Sequence, residues 1–182
     1  MTNAITADTS RNDLLKIAIG GLISGALTPL LPAALDRLNV PPGMWQLAVV
    51  ALPFAVLVFV VMRWRRAGPP WAAVVASIVT IVAFVAAVNA AVYIDGQIAG
   101  VAKVLRGVFA GGFVGSALMA LGIALLPAGP RKAARWLPMI VTGTVAGSLL
   151  ALDNSLGLDP VSSLYPVWQA AVAVRLAMAL KR

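Results

Sequence analysis

Long apolar runs separated by short polar stretches dominate the chain. Six such runs extend over about Leu14 to Leu35, Met44 to Met62, Trp71 to Tyr93, Gly107 to Leu126, Leu137 to Leu152 and Leu164 to Leu180. The third holds twenty-three residues without a charge. A bilayer core of roughly 30 Å is crossed by about 20 residues at helical rise. The pattern therefore predicts an all-α fold, a polytopic membrane helix bundle with six transmembrane helices in one integral membrane domain covering residues 1–182. The first thirteen residues form a polar N-terminal tail that lacks the basic start of a secretory signal, so the first helix is expected to be retained. Connections are short. The longest, Asp153 to Ser163, is rich in Asx, Gly and Pro, which is turn chemistry, and it reads as a connector or as a cap on the outer mouth of the bundle.

An echo runs through the sequence. Gly20 and Gly21, Ala26 and Leu27, and Leu30 recur as Gly111 and Gly112, Ala117 and Leu118, and Leu121, an offset of 91 residues that Trp45 and Trp136 share. Three crossings per half would invert the second half relative to the first. The expected architecture is then a 3+3 inverted-topology repeat with halves 1–91 and 92–182, the plan of many transporters, whose substrate site lies at the repeat interface. The competing reading is coincidence in a chain rich in Gly, Ala and Leu.

Glycine and proline mark special backbone within the runs. Gly21 and Gly25, then Gly107, Gly111 and Gly115, then Gly143 and Gly147 recur at four-residue spacing. Residues four apart share a helix face, and without a Cβ they admit a second backbone where lipid supplies no hydrophobic drive. The first, fourth and fifth helices are expected to form a tight centre on these faces, within one subunit or between copies. Pro53, near the middle of the second run, deprives the Val49 carbonyl of its usual donor and predicts a kink; Pro29 and Pro32 act alike at the end of the first.

Charge orients the bundle. Nine of the fourteen basic residues fall in the N-terminal tail, the second and fourth connections and the C-terminus, and Lys16 and Arg175 lie within a turn or two of the same side, leaving Arg37, Lys103 and Arg106 on the other. By the positive-inside rule both termini face the cytoplasm, in a cell or inner membrane. The net charge of +8 is split into small juxtamembrane groups, which suits anionic lipid and offers no continuous stripe for nucleic acid. The lipid bilayer is thus the expected partner, with a homo-oligomer or a membrane partner subunit as the further candidates. Trp45, Trp64, Trp71, Tyr93, Trp136, Tyr165 and Trp168 stand near run ends, at headgroup level.

Composition removes most chemistry. The chain has no Cys, no His and no Glu, and its acids are Asp8, Asp13, Asp36, Asp95, Asp153 and Asp159. Thiol nucleophiles, disulfides, Ser-His-Asp triads and metal or haem sites built on His or Cys are excluded. No catalytic residue, metal ligand or cofactor site is expected, and the protein reads as no enzyme.

Polar side chains at outer depth are the remaining candidates. Lys103 and Arg106 share a helix face, and with Asn89, Gln169 and the carbonyls freed near Pro53 they form a candidate substrate pocket that attracts anions, Asp95 and Asp153 lying at similar depth. Alternatively, Lys103 and Arg106 sit on an interfacial helix and meet headgroups. Two function classes follow. One is a transporter, channel or substrate-binding permease subunit for a small polar or anionic solute. The other is a non-transporting membrane protein such as an assembly factor, regulator or sensor anchor. A water-accessible cavity at mid-depth would favour the first, and a sealed core the second.

Overall fold

The computed structural model describes residues 2–41, 43–65, 67–97, 101–127, 129–149 and 164–181; the side chains of 2–10, 95–97, 101–108 and 164 lie outside the description. Every element among the described residues is helical: α1 (Thr2–Leu27), α2 (Leu30–Arg37), α3 (Met44–Val50), α4 (Leu52–Trp64), α5 (Pro70–Gln97), α6 (Val101–Ala124), a 3-10 turn (Ala133–Arg135), α7 (Leu137–Gly147) and α8 (Leu164–Ala179).

Two runs, Arg11–Arg37 and Pro70–Ile94, are long and apolar enough to cross a membrane. The pair α3 and α4, bent by 46°, makes a third where it is counted as one crossing. The apolar stretches Phe109–Ala124 and Leu137–Gly147 are shorter. The structure thus supports two or three crossings where the sequence pattern led to an expectation of six. Part of the difference lies at residues 150–163 and 98–100, which are outside the described set.

The surface agrees with a lipid solvent. Ile23, Val56, Val82, Leu121 and Val145 are each more than half exposed on helix flanks, a continuous apolar coat that a protein in water rarely carries. The interior is built from small residues instead, with Ala72, Ala73, Ala76, Ala173 and Ala177 almost fully enclosed. Van der Waals fit between close backbones replaces the hydrophobic drive that lipid removes.

Breaks fall at the prolines. α1 ends at Thr28 and Pro29, and Pro29 stands at the N-cap of α2. The bend between α3 and α4 is centred on Ala51, two residues before Pro53, which occupies the first turn of α4. Pro53 cannot donate to Val49, and the chain starts a new helix where proline fits. The freed Val49 carbonyl is taken up by a backbone N–H of the cap turn. α1 also begins earlier than its apolar run, at Thr2. No Gly or Pro interrupts residues 2–13, so nothing stops the helix from extending back over the polar tail.

The helix order brings α1 against α8, α6 against both α5 and α7, and α4 against α5. Its apolar core runs from Ile17 through Phe54, Val58, Met119 and Met139 to Leu176.

Candidate functional site

The most enclosed polar cluster lies between α1 and α8. Gly21, Ser24, Gly25 and Thr28 share one face of α1 at i, i+3, i+4 and i+7. The two glycines let α8 approach closely: a Cβ on Gly21 would lie 2.6 Å from the Ala170 amide nitrogen, and one on Gly25 would run into the backbone of Pro166. Ser24 and Thr28, which flank them, reach Gln169. The Ser24 hydroxyl donates to Gln169 Oε1. Gln169 Nε2 donates to Thr28 Oγ1 at 2.8 Å. Thr28 Oγ1 donates in turn to the Ser24 carbonyl at 3.1 Å. Gln169 and Thr28 are essentially solvent-free and Ser24 nearly so. An amide this deep needs partners on both its ends, and the two hydroxyls supply them.

Other hydroxyls form a layer with this cluster in the sense that they stand at similar distances along their own segments. At 1.5 Å per residue, Ser24 from Leu14, Thr80 from Pro70, Ser116 back from Ala124, Thr144 from Leu137 and Gln169 back from Leu180 are each roughly 10–17 Å away. Thr80 Oγ1 donates to the Ala76 carbonyl at 2.8 Å, Ser116 Oγ to Gly112 at 2.7 Å and Thr144 Oγ1 to Ile140 at 2.8 Å. At the centre, α6 and α7 meet through Gly112 and Gly143, where a Cβ on Gly112 would lie 2.5 Å from the Gly143 carbonyl oxygen. That same carbonyl accepts the Trp168 indole N–H at 2.9 Å. Trp168 also packs edge-on against Phe54, with ring centroids 5.4 Å apart, which joins α8 to the start of α4 just beyond the bend.

Of the residues expected to form one outer pocket, the described ones, Gln169, Asn89 and Pro53, are not gathered. Gln169 faces α1. Asn89 is exposed on α5 and donates to its own helix, to the Val85 carbonyl at 2.7 Å. Pro53 is half-buried at the bend, beside Phe54. Lys103 and Arg106 fall in the first turns of α6, continuous with its apolar part, and their side chains, like those of Asp95 and Gly107, lie outside the described residues. Asp153 lies outside them altogether. Trp168 is no headgroup anchor, because a glycine carbonyl gives its N–H a partner inside the protein; Trp136 is likewise buried, donating to Pro130 at 2.8 Å.

The glycine faces find different partners from those expected. Gly21 and Gly25 meet α8, and Gly111 and Gly115 meet Ala83, Ala87 and Ala91 of α5. Gly143, against Ser116 and Gly112, joins the fourth and fifth apolar runs, and Gly147 is buried on the same helix. The first helix does not enter that contact. Ser24, Thr28 and Ser116 were missed, although Ser24 and Thr28 lie on the same sequence face as the Gly21–Gly25 pair.

The layer's side chains are hydroxyls, one amide and one indole, so it can hold a neutral hydrogen-bonding group and lacks an acid or base for proton transfer. Among the described residues no group of His, Cys, Asp or Glu could hold a metal ion. No protein-family model, curated protein or solved structure matches this chain.

Proposed function

We propose that the chain is a small multi-pass protein of a cell or inner membrane that crosses six times, with both termini cytoplasmic, and serves as a transporter, channel or substrate-binding permease subunit for a small polar or anionic solute. The observation that carries this is the Ser24–Gln169–Thr28 cluster. It sits near the middle of the Arg11–Arg37 run, directly beside the helix break at Thr28 and Pro29, with the second break at Ala51 linked to it through Phe54 and Trp168. Broken helices beside a midplane polar cluster are the usual setting of a solute site in transporters. Lys103 and Arg106, on the opposite end of α6, would attract an anion to the mouth.

The inverted repeat has support of its own. The first helix packs on the last through Gly21 and Gly25, and α6 packs on α5 through Gly111 and Gly115. A two-fold relation between halves exchanges those two pairs. The glycines are offset by 90 residues, one less than the sequence echo, and their partners Ala87 and Ala170 by 83. The echo itself aligns residues that do different work: Trp45 is exposed while Trp136 is buried.

One observation favours the non-transporting alternative. The buried hydroxyl and amide groups of the layer are all satisfied by protein partners. A site awaiting a solute would leave some of them open to water. Both readings are tested by Ser24→Cys in this cysteine-free chain, treated with a small charged methanethiosulfonate. Modification at a rate near that of an exposed Lys132→Cys control supports a solute path. A cysteine as unreactive as a lipid-facing Val82→Cys control defeats it and leaves the sealed core of an assembly or regulatory subunit.

A further inference from the structure

On the six-crossing reading of the sequence, one end of the bundle would carry eleven basic residues against Asp8 and Asp13, a net of +9, while the remaining three basic residues and four aspartates would leave the other end at −1. On the α5–α6 face the lipid-exposed coat is interrupted by an apolar groove of about 250 Å³. Ile78, Val79 and Val82 of α5 and Leu118, Leu121 and Leu125 of α6 wall it. Gly122 forms its floor, where a side chain would collide with Val79. The groove ends at Leu125, on the basic side. There the chain folds back tightly, with the Leu126 amide donating to Ile123 and the Gly129 amide to Leu126. Beyond the turn it presents Arg131 and Lys132, both exposed and distant in sequence from any acid. Neither forms part of the layer described above.

We propose that this groove and the two basic side chains form one site for an anionic phospholipid, with an acyl chain laid between α5 and α6 and the phosphate on Arg131 and Lys132. The proposal rests on the membrane reading and not on transport. Charge complementarity selects the occupant. A zwitterionic lipid would fill the groove equally well, but its own choline cation would offset most of what its phosphate gains from the two basic groups, and a partner helix would have to place an acid at the same point. Each basic group near an anionic surface is worth roughly a factor of five in binding, so the pair supplies on the order of twentyfold.

The test measures retention of phosphatidylglycerol against phosphatidylcholine by the purified full chain in detergent, using native mass spectrometry. The parent should prefer phosphatidylglycerol, and the double variant Arg131→Gln, Lys132→Gln should lose most of that preference. Val82→Trp, at an exposed position, should fill the groove and lower retention of both lipids with every charge intact. Arg11→Gln with Arg63→Gln removes the same charge from the α1–α4 corner and should leave the preference within about twofold of the parent. Equal losses from the two charge pairs would overturn the site in favour of a diffuse basic surface, and so would full retention by Val82→Trp.

Discussion

Gly21→Ala and Gly20→Ala are adjacent, chemically identical changes that the packing of α1 separates. In an isolated helix each would gain about 1 kcal/mol of propensity. At Gly20 the new methyl lies 3.0 Å from Leu57 Cδ1, the far end of a flexible side chain that turns aside. At Gly21 it runs into Ala170 Cα and lies 2.6 Å from the Ala170 amide nitrogen, where ordinary contact begins at 3.4 Å, so the two backbones must part by at least about 0.8 Å. A parting of that size along the bond stretches the Gln169 to Thr28 hydrogen bond of 2.8 Å to about 3.6 Å or more, past useful range. Overpacking costs about 1–3 kcal/mol. Hydrogen bonds between membrane helices average about 0.6 kcal/mol each, and the two at Gln169 are put at risk. Set against the propensity gain, Gly21→Ala should be destabilised by roughly 1–3 kcal/mol, while Gly20→Ala should match or slightly exceed the parent. Unfolding of the purified protein from mild detergent into dodecyl sulfate, followed by circular dichroism, gives the comparison. Equal midpoints for the two variants would refute the close α1–α8 contact.

Three further outcomes follow from the same geometry. Gln169→Leu should lower stability by about 1 kcal/mol in that titration, since it removes two interhelical bonds and leaves the Ser24 hydroxyl to its own helix; no change would mean that the amide contributes nothing to packing. Gly111→Leu should cost about 1–3 kcal/mol or more, because even a bare Cβ there would stand 3.0 Å from the Ala87 carbonyl oxygen. Trp168→Phe should keep the contact with Phe54 but remove the indole donor that ties α8 to the Gly143 carbonyl of α7, with a loss of roughly 0.5–1.5 kcal/mol; a fully stable variant would show that this bond contributes nothing to the packing of α8 on α7.

The sequence makes helical class, breaks and small-residue faces readable because each has a local cause. An uncharged run of bilayer length, a proline without an N–H and glycines four apart act through their own chain segment. Partners are another matter. Gly21 and Gly25 announce a close contact but not its recipient, since Ala170 and Pro166 lie more than 140 residues away and carry no complementary signature. Gln169 illustrates the same gap. Its distance from the start of α8 suggested an outer pocket, whereas its partners Ser24 and Thr28 sit one turn apart on a distant helix. Trp168 and Trp136 depart from the general preference of aromatics for headgroups because a carbonyl of the protein, that of Gly143 in α7 or of Pro130 in the connection before it, supplies each indole with a partner.

Sidedness decides the account as a whole, because the six crossings, the cytoplasmic basic end and the lipid site all depend on it. Leu38→Cys, exposed at the end of α2, and Lys132→Cys, exposed beyond the turn that follows α6, fall on opposite sides of the membrane if the chain crosses six times as proposed. In intact cells, an impermeant maleimide should label Leu38→Cys and spare Lys132→Cys until the membrane is permeabilised. Labelling of Lys132→Cys alone, or of both variants alike, would contradict it.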